Sequence, residues 1–268
     1  MKLYQKVVIS LISLIILTST SYAEHIWVGL YNQKSKTEKS AQSVVSRENI
    51  KSMGNAIEEE WAKGYFLIDL EQGARTWMAV FSKTSGYTAQ SFYHSGNWTR
   101  FERVIAKKKA DGFSLIDLEY GDGEWVGIFA KGVKFDNQIY TVDKEWSKFR
   151  QTISEKWKDN YRLTEMEANN GKWVGIFSKN TGLYQQTYSS FDDWESMRKI
   201  IKDKWSEGYR LSLIEYGEGR WFALFSKNSS HSAEAYNGIY GWERFRGELK
   251  EYWSAGYDVV SITSGWYD

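Results

Sequence analysis

The chain has 268 residues, a formal net charge of +1, no cysteine and no proline. The balanced charge argues against a nucleic-acid-binding protein, whose binding surface is strongly basic. The absence of cysteine excludes disulfides, cysteine metal sites and thiolate nucleophiles.

The amino-terminal segment predicts a signal peptide that covers residues 1–23. Lys2 and Lys6 supply a positive region, residues 7–18 are apolar apart from two serines, and Ser21-Tyr-Ala23 offers small residues at a cleavage site. Cleavage there leaves a single domain of residues 24–268, periplasmic or secreted, with no membrane span. An uncleaved anchor is the alternative, but the apolar run is shorter than the ~20 residues that a span needs.

A unit of about 48 residues recurs five times in the rest of the chain, which indicates a repeat architecture. One column is a strand that begins with tryptophan and has a small residue two positions later, at Trp27, Trp77, Trp125, Trp173 and Trp221. We expect the small residue to relieve crowding near a central axis. A second column consists of Gln42, Gln90, Gln138, Gln186 and Glu234.

Each unit also predicts one helix. Apolar residues recur at the spacing of one helix face, as in Trp146, Phe149 and Ile153. Three of the helices are preceded by predicted N-caps, namely Asn49, Asn97 and Asp193. Every helix is followed by a residue that tolerates the left-handed conformation of a helix stop, at Gly64, Gly112, Asn160, Gly208 and Gly256.

Strands fill the remainder of the unit, in the order βββα. A strand such as Ser114–Glu119 follows each helix, and a Gly-rich turn leads into the tryptophan strand, which is a hairpin signal. The domain begins with a tryptophan strand and ends with a first strand at Asp258–Thr263. We therefore expect an α+β fold of five βββα repeats closed into a pseudo-five-fold αβ-propeller, with the terminal strands completing one shared blade. An open arc or a strand-swapped oligomer is the alternative.

The cyclic order of elements resembles the pentein propellers in architecture only. Pentein enzymes that modify guanidino groups use a catalytic cysteine, and this chain has none. That chemistry is therefore not expected here.

Of the 14 tryptophans, 13 fall in repeat columns, which is typical of core packing. Only Trp266 stands outside the columns, so it is a ligand-binding candidate. In the second unit the run Lys107-Lys-Lys109 replaces the tryptophan that ends the other helices. We interpret this run as a solvated helix end.

Two acidic columns lie on the first strand of the units and are the other ligand-binding candidates. They contain Asp69, Asp117 and Glu165, and Glu71, Glu119, Glu167 and Glu215. Residues two apart share one face of a strand, so the carboxylates are expected to form a ring at one end of the fold, where like charges raise pKa values and attract cations. The alternative is that each pairs with a column glutamine or with a lysine such as Lys83, Lys131, Lys179 or Lys227. Leu213, Ser261 and Thr263 interrupt the columns.

No catalytic motif stands out. His25, His94 and His231 are scattered, and no zinc-protease motif, phosphate loop or nucleophile elbow is present. The sequence therefore predicts no catalytic residue, metal or cofactor.

The strand Trp173-Val-Gly-Ile-Phe-Ser-Lys179, the segment Tyr184-Gln-Gln-Thr-Tyr188 and the helix end Trp205-Ser-Glu-Gly-Tyr209 resemble a repeat in the C-terminal region of plant casein-kinase-I-like kinases and in uncharacterised bacterial secreted proteins. The resemblance covers nearly the whole domain. It lacks the Phe-Pro before the helix, where Phe191-Asp stands, and no kinase motif is present. It implies a tandem-repeat fold and no particular activity.

We expect an exported, monomeric, non-catalytic binding protein that presents loops of a rigid ring to a glycan, peptide or protein partner. The alternative is a hydrolase of polysaccharide or peptidoglycan that uses Asp69, Asp117 or Glu165 with a neighbouring glutamate. A purely structural envelope protein is a third interpretation.

Overall fold

The structure is a computed structural model that describes residues 24–33, 41–227 and 235–267. The predicted signal peptide, His231 and Glu234 lie outside these ranges. Within them, no helix has the length and apolarity that a membrane crossing requires.

Helices follow the predicted stripes, one in each unit. They are α1 (Ile50–Ala62), α2 (Trp98–Ala110), α3 (Trp146–Lys158), α4 (Trp194–Ser206) and α5 (Trp242–Ser254). Asn49, Asn97 and Asp193 each accept a backbone N–H of the first turn, which confirms the three predicted caps. The five predicted stop residues all have φ between 62° and 84°, as the left-handed position requires.

Three kinds of strand recur, and we name them by their place in the sheets. The inner strands are β3 (Phe66–Gly73), β6 (Ser114–Gly121), β9 (Arg162–Asn169), β12 (Arg210–Gly217) and β15 (Tyr257–Tyr267). The central strands, which carry the tryptophan column, are β1 (Glu24–Gln33), β4 (Thr76–Ser82), β7 (Glu124–Lys131), β10 (Lys172–Lys179) and β13 (Arg220–Lys227). The outer strands are β2 (Gln42–Arg47), β5 (Ala89–Ser95), β8 (Asp136–Asp143), β11 (Tyr184–Phe191) and β14 (Ala235–Tyr240).

The chain order βββα is confirmed, but each sheet draws its strands from two consecutive sequence units. The sheet β5-β7-β6, for example, takes β5 from before α2 and the hairpin β6–β7 from after it. β5 and β6 are parallel, and helix α2 connects them by crossing one face of the sheet, as a connection between parallel strands must. The central strand occupies the place between them, antiparallel to both neighbours.

The fifth sheet joins the two ends of the described chain. Its order is β14-β1-β15, so the central strand comes from the amino-terminal end and the other two from the carboxy-terminal end. Val28 lies opposite Thr263, and Glu24 lies opposite Tyr267. This pairing of the terminal strands was predicted, and the amino-terminal strand supplies the middle of the sheet.

The inner strands of neighbouring sheets contact one another in a cyclic order. The contacts run from β3 to β6, β9, β12 and β15, and from β15 back to β3. Close approach occurs where the inner strands end: a Cβ added to Gly217 would lie 1.9 Å from the backbone oxygen of Ala168.

The small residue of the central strand serves a different purpose from the one expected. A Cβ at Gly175 would lie 2.8 Å from the ring of Phe149 on α3, and one at Gly127 would lie 2.8 Å from Phe101 on α2. At these two positions the small side chain therefore makes room for the helix and not for a central axis. The central-strand tryptophans are buried, as predicted for core residues.

The four glutamines of the column each link their sheet to the preceding one. Gln186 Oε1 accepts the Trp157 indole N–H at 2.9 Å and the Leu163 N–H at 3.0 Å, and its Nε2 donates to the Leu163 carbonyl at 2.8 Å. Gln90 makes the same three bonds with Trp61 and Leu67. One amide side chain thus satisfies an inner strand and a helix-end indole at once.

Gln186→Ala is expected to lower the free energy of unfolding by about 2 kcal/mol, because it leaves an indole N–H and two backbone groups without partners. Gln138→Ala is the matched control, since Gln138 bonds to Leu115 but the helix before it has no terminal indole. Urea denaturation followed by circular dichroism measures both losses. An equal or larger loss for Gln138→Ala would contradict the role given to the indole bond.

Candidate functional site: two carboxyl-lined cavities

A register shift in every inner strand directs the acidic columns away from the helix. In β3 the shift lies between Leu67 and Asp69, and Leu67 and Leu70 both reach the buried core under α1. Strict alternation would put Leu67 on the same face as Asp69. The extra residue of the bulge therefore lets the leucines face the helix and the carboxyl groups face the neighbouring inner strands.

The first acidic column borders one cavity, which we call the Asp69 cavity. It has a volume of about 280 Å³ and is lined by Asp69, Glu165, Leu213 and Ser261, together with the loops that follow the central strands. Asp117 is buried and is not part of its lining.

The second column borders a separate cavity, which we call the Glu119 cavity. It has a volume of about 480 Å³ and brings together all four glutamates of the column, with His25, Arg75, Tyr120, Tyr216 and Trp266 around them. The two columns thus border different cavities, whereas the sequence led us to expect one carboxylate ring at one end.

Three of the carboxyl groups hold neighbouring inner strands together. Asp69 accepts the Ile262 N–H at 2.9 Å, and Asp117 accepts the Leu70 N–H at 2.5 Å. Glu71 Oε1 accepts both the N–H and the hydroxyl of Ser264, at 3.0 and 2.7 Å. These side chains have a structural role between adjacent sheets.

The other carboxyl groups make fewer bonds to neighbouring strands. Glu165 accepts its own chain's Met166 N–H at 2.8 Å, and Glu215 accepts the Tyr216 N–H at 2.9 Å and, at 3.4 Å, the Thr263 hydroxyl. Glu167 accepts a hydrogen bond from the side chain of Asn169. Glu119 is only 5% exposed, and it borders the Glu119 cavity.

The alternative pairing of these carboxylates with the glutamine and lysine columns is also wrong. The glutamines bond to the inner-strand backbone, as described above. The column lysines stack on the aromatic residue after each helix stop: Lys83 lies 4.5 Å from the ring centre of Tyr65, and Lys131, Lys179 and Lys227 lie 4.6 Å from Phe113, Tyr161 and Tyr209.

Burial raises the pKa of every carboxyl group in the two columns, and repulsion between the carboxyl groups adds to this effect for all of them except Asp69. Burial raises the pKa of Asp69 to about 7 and that of Glu215 to about 8. The pKa of Glu119 lies well above its ordinary value because of burial and then because of the charges of Glu71, Glu167 and Glu215. The same two causes raise the pKa values of Glu71, Asp117, Glu165 and Glu167. A positive group that enters the site would favour the ionised carboxyl groups and lower these pKa values.

An aromatic side chain stands at the edge of the Glu119 cavity. Trp266 is 46% exposed, and its ring meets that of His25 edge-on with centroids 5.2 Å apart. Its backbone carbonyl accepts the Trp221 indole N–H at 3.1 Å, which fixes its position. Trp266 was predicted as a candidate, whereas His25, Tyr120 and Tyr216 were not, because the repeat columns did not relate them to the acidic face.

Among the described residues, no three histidine, aspartate or glutamate side chains are placed to hold a metal ion. His94 lies on β5, where its Nδ1 contacts Glu124 on β7, away from both cavities. What the carboxyl groups can do chemically is to bind a cation or to exchange protons.

Comparison with known proteins gives a family. No curated protein matches the chain. A family profile described as a domain of unknown function, DUF7477, matches residues 51–267. The chain therefore belongs to the DUF7477 family.

Proposed function

We propose that the chain is an exported, non-catalytic binding protein whose Glu119 cavity receives the ammonium or guanidinium group of a ligand. The observation that carries the proposal is the Glu119 carboxyl group, which borders the cavity and is buried beside three other glutamates. Several carboxylates held close together in a buried site are unfavourable, and a bound cation relieves that cost.

The lining of the cavity favours an organic cation with an apolar or aromatic body. Trp266 exposes nearly half of its surface at the edge, and Tyr120 and Tyr216 line the wall. Aromatic faces attract ammonium groups and also cover apolar atoms. Arg75, the arginine among the lining residues, is exposed and belongs to the turn between β3 and β4. A peptide or protein partner that presents lysine or arginine supplies the same chemistry as a small amine.

The proposal includes a closed, pentein-like αβ-propeller in which β14, β1 and β15 form the shared blade. The contact of β15 with both β12 and β3 supports it. Closure gives the inner strands a rigid frame in which buried carboxyl groups are held close together. Export through the predicted signal peptide, a periplasmic or secreted location, a monomeric state and the kinship with the kinase-associated repeats are further parts of the proposal that rest on the sequence.

Calorimetric titration of residues 24–268 with 2-phenylethylamine tests the proposal, and 2-phenylethanol is the neutral ligand of matched shape. We expect the amine alone to bind, with release of protons that is measured in two buffers of different ionisation enthalpy. Glu119→Gln should weaken binding about tenfold or more, since it removes a buried charge partner. Trp266→Ala should weaken it about threefold or more.

Glu58→Gln is the matched control, because Glu58 is exposed on α1. Equal affinity for the amine and the alcohol, or unchanged affinity in Glu119→Gln, would count against the proposed site. Binding of calcium or magnesium alone would reassign the cavity to metal ions, and binding in a glycan panel would favour a carbohydrate ligand instead.

A hydrolase is the second candidate, and one observation favours it. Asp69 lines a cavity with Glu165, and burial brings its pKa to about 7, a value suited to a proton donor at neutral pH. Against this role, the Asp69 carboxyl group is held by the Ile262 N–H and the Ser261 hydroxyl. Release of reducing ends when residues 24–268 are incubated with peptidoglycan or polysaccharide would support the hydrolase.

A further inference from the structure

A third cavity, which we call the α2 pocket, lies against helix α2 and is separate from both acidic cavities. It has a volume of about 400 Å³ and lies between α2, β6, β7 and β8, with Ile176 of β10 also in its wall. Its lining includes Ile105, Phe113, Phe129 and Tyr140. An engineered apolar cavity of ~150 Å³ is enough to bind benzene, so this pocket has room for a larger aromatic molecule.

The repeat explains why the pocket exists. Lys109 occupies the position that Trp61, Trp157, Trp205 and Trp253 hold in the other helices. In the third unit, the Trp157 ring lies 6.0 Å from Tyr188 and donates to Gln186. The residues one repeat earlier are Tyr140 and Gln138, and both line the α2 pocket. The pocket is therefore the place of a missing indole.

A hydrogen-bond acceptor is left available in this place. Gln42, Gln90 and Gln186 each accept an indole N–H with Oε1, at 2.9, 2.7 and 2.9 Å. Gln138 Oε1 accepts the Leu115 N–H at 2.8 Å and, within the described residues, no indole. An amide oxygen has two acceptor positions, so one position remains for a ligand N–H.

One lysine lines the α2 pocket, and two more contact its Phe113 ring. The Lys109 side chain is exposed and donates from Nζ to the Gln138 backbone carbonyl at 2.7 Å. Lys108 and Lys131 lie 5.3 and 4.6 Å from the ring centre of Phe113, which lines the pocket. An acidic substituent on an aromatic ligand would meet these ammonium groups.

We infer that the α2 pocket binds a small indole-class molecule that carries a carboxylate. The ring takes the place that the helix-end tryptophan fills in the other repeats, its N–H donates to Gln138 Oε1, and its carboxylate pairs with Lys109.

Titration of residues 24–268 with indole-3-acetate, indole and 1-methylindole, followed by ligand-observed NMR, tests this site. Indole should bind about three- to tenfold more tightly than 1-methylindole, which cannot donate to Gln138. Indole-3-acetate should bind about two- to fivefold more tightly than indole, through the exposed Lys109. Lys109→Ala should abolish the preference for indole-3-acetate over indole, and it should keep the preference for indole over 1-methylindole.

Lys109→Trp fills the pocket from within and should weaken the binding of all three ligands about tenfold or more. Lys107→Trp is the matched control, because it adds an indole on the exposed side of the same helix. The inference is overturned if Lys109→Trp binds as the unsubstituted chain does, if 1-methylindole binds as well as indole, or if no ligand binds at millimolar concentration.

Discussion

Removal of the chain from Tyr257 onward is expected to abolish cooperative unfolding. β15 pairs with β1 along its length, and Ile262 and Ser264 also donate to the carboxyl groups of Asp69 and Glu71. The cut exposes an edge of β1 and leaves two carboxyl groups without these donors, at about 1–3 kcal/mol each. Loss of the buried Val259 and Ile262 side chains adds about 1.5–3 kcal/mol each. Together these terms approach the whole stability of a typical domain, about 5–15 kcal/mol.

A rearranged chain separates the loss of this strand from the loss of a carboxy terminus. In the register of the fifth sheet Gly265 lies opposite Ile26, just as Gly121 lies opposite Glu124 across the Asp122-Gly123 turn. A chain in which Tyr257–Gly265 is moved to the amino-terminal end and joined to Ile26 by an Asp-Gly turn should therefore unfold cooperatively again. Urea denaturation and calorimetry measure this. A truncated chain with an unchanged transition midpoint would show that β15 contributes little to the common structure.

The elements of the fold could be predicted because each depends on local chemistry that recurs every unit. A helix stop needs glycine or asparagine, an N-cap needs a short polar side chain, and one face of a helix needs apolar residues. The grouping of strands into sheets could not be predicted in the same way. A spacing of 48 residues is compatible with two pairings of an outer strand such as β5. It could pair with β4, which precedes it, or with β7, which follows it, and the structure shows the second pairing.

The site was predictable in its residues and not in its arrangement. The acidic columns and Trp266 were visible in the sequence, and the structure brings Glu71, Glu119, Glu167, Glu215 and Trp266 to one cavity. Their partners were not visible, because Gln186 and Lys179 could face either the carboxyl groups or the neighbouring sheet. The run at Lys107–Lys109 is indeed exposed at Lys107 and Lys109. The pocket that the missing tryptophan leaves beneath it depends on packing against the next sheet.

Between about pH 7 and pH 8, the free energy of unfolding is expected to fall as the pH rises. The unfolded chain has released its carboxyl protons above about pH 5. The folded chain still holds part of them in this range, because the pKa of Glu215 is about 8, that of Asp69 is about 7, and that of Glu119 is raised well above its usual value. The folded state then binds more protons than the unfolded state, so stability decreases with pH by up to about 1.4 kcal/mol per pH unit for each such group. Burial lowers the pKa of His25, so its opposite contribution is confined to pH values near and below about 6.5.

Glu215→Gln isolates one of these groups, since an amide oxygen can still accept the Tyr216 N–H and the Thr263 hydroxyl. The variant should be more stable than the unsubstituted chain at pH 8, with a smaller slope in urea denaturation, whereas Glu58→Gln should change neither. A stability that rises through this range would contradict the retention of protons. A saturating organic cation should flatten the slope, because binding favours the ionised carboxyl groups in the folded state. The same experiment thus tests whether the carboxyl groups that titrate in this range are the ones that bind the amine. If the amine leaves the slope unchanged, the two sets of groups are different.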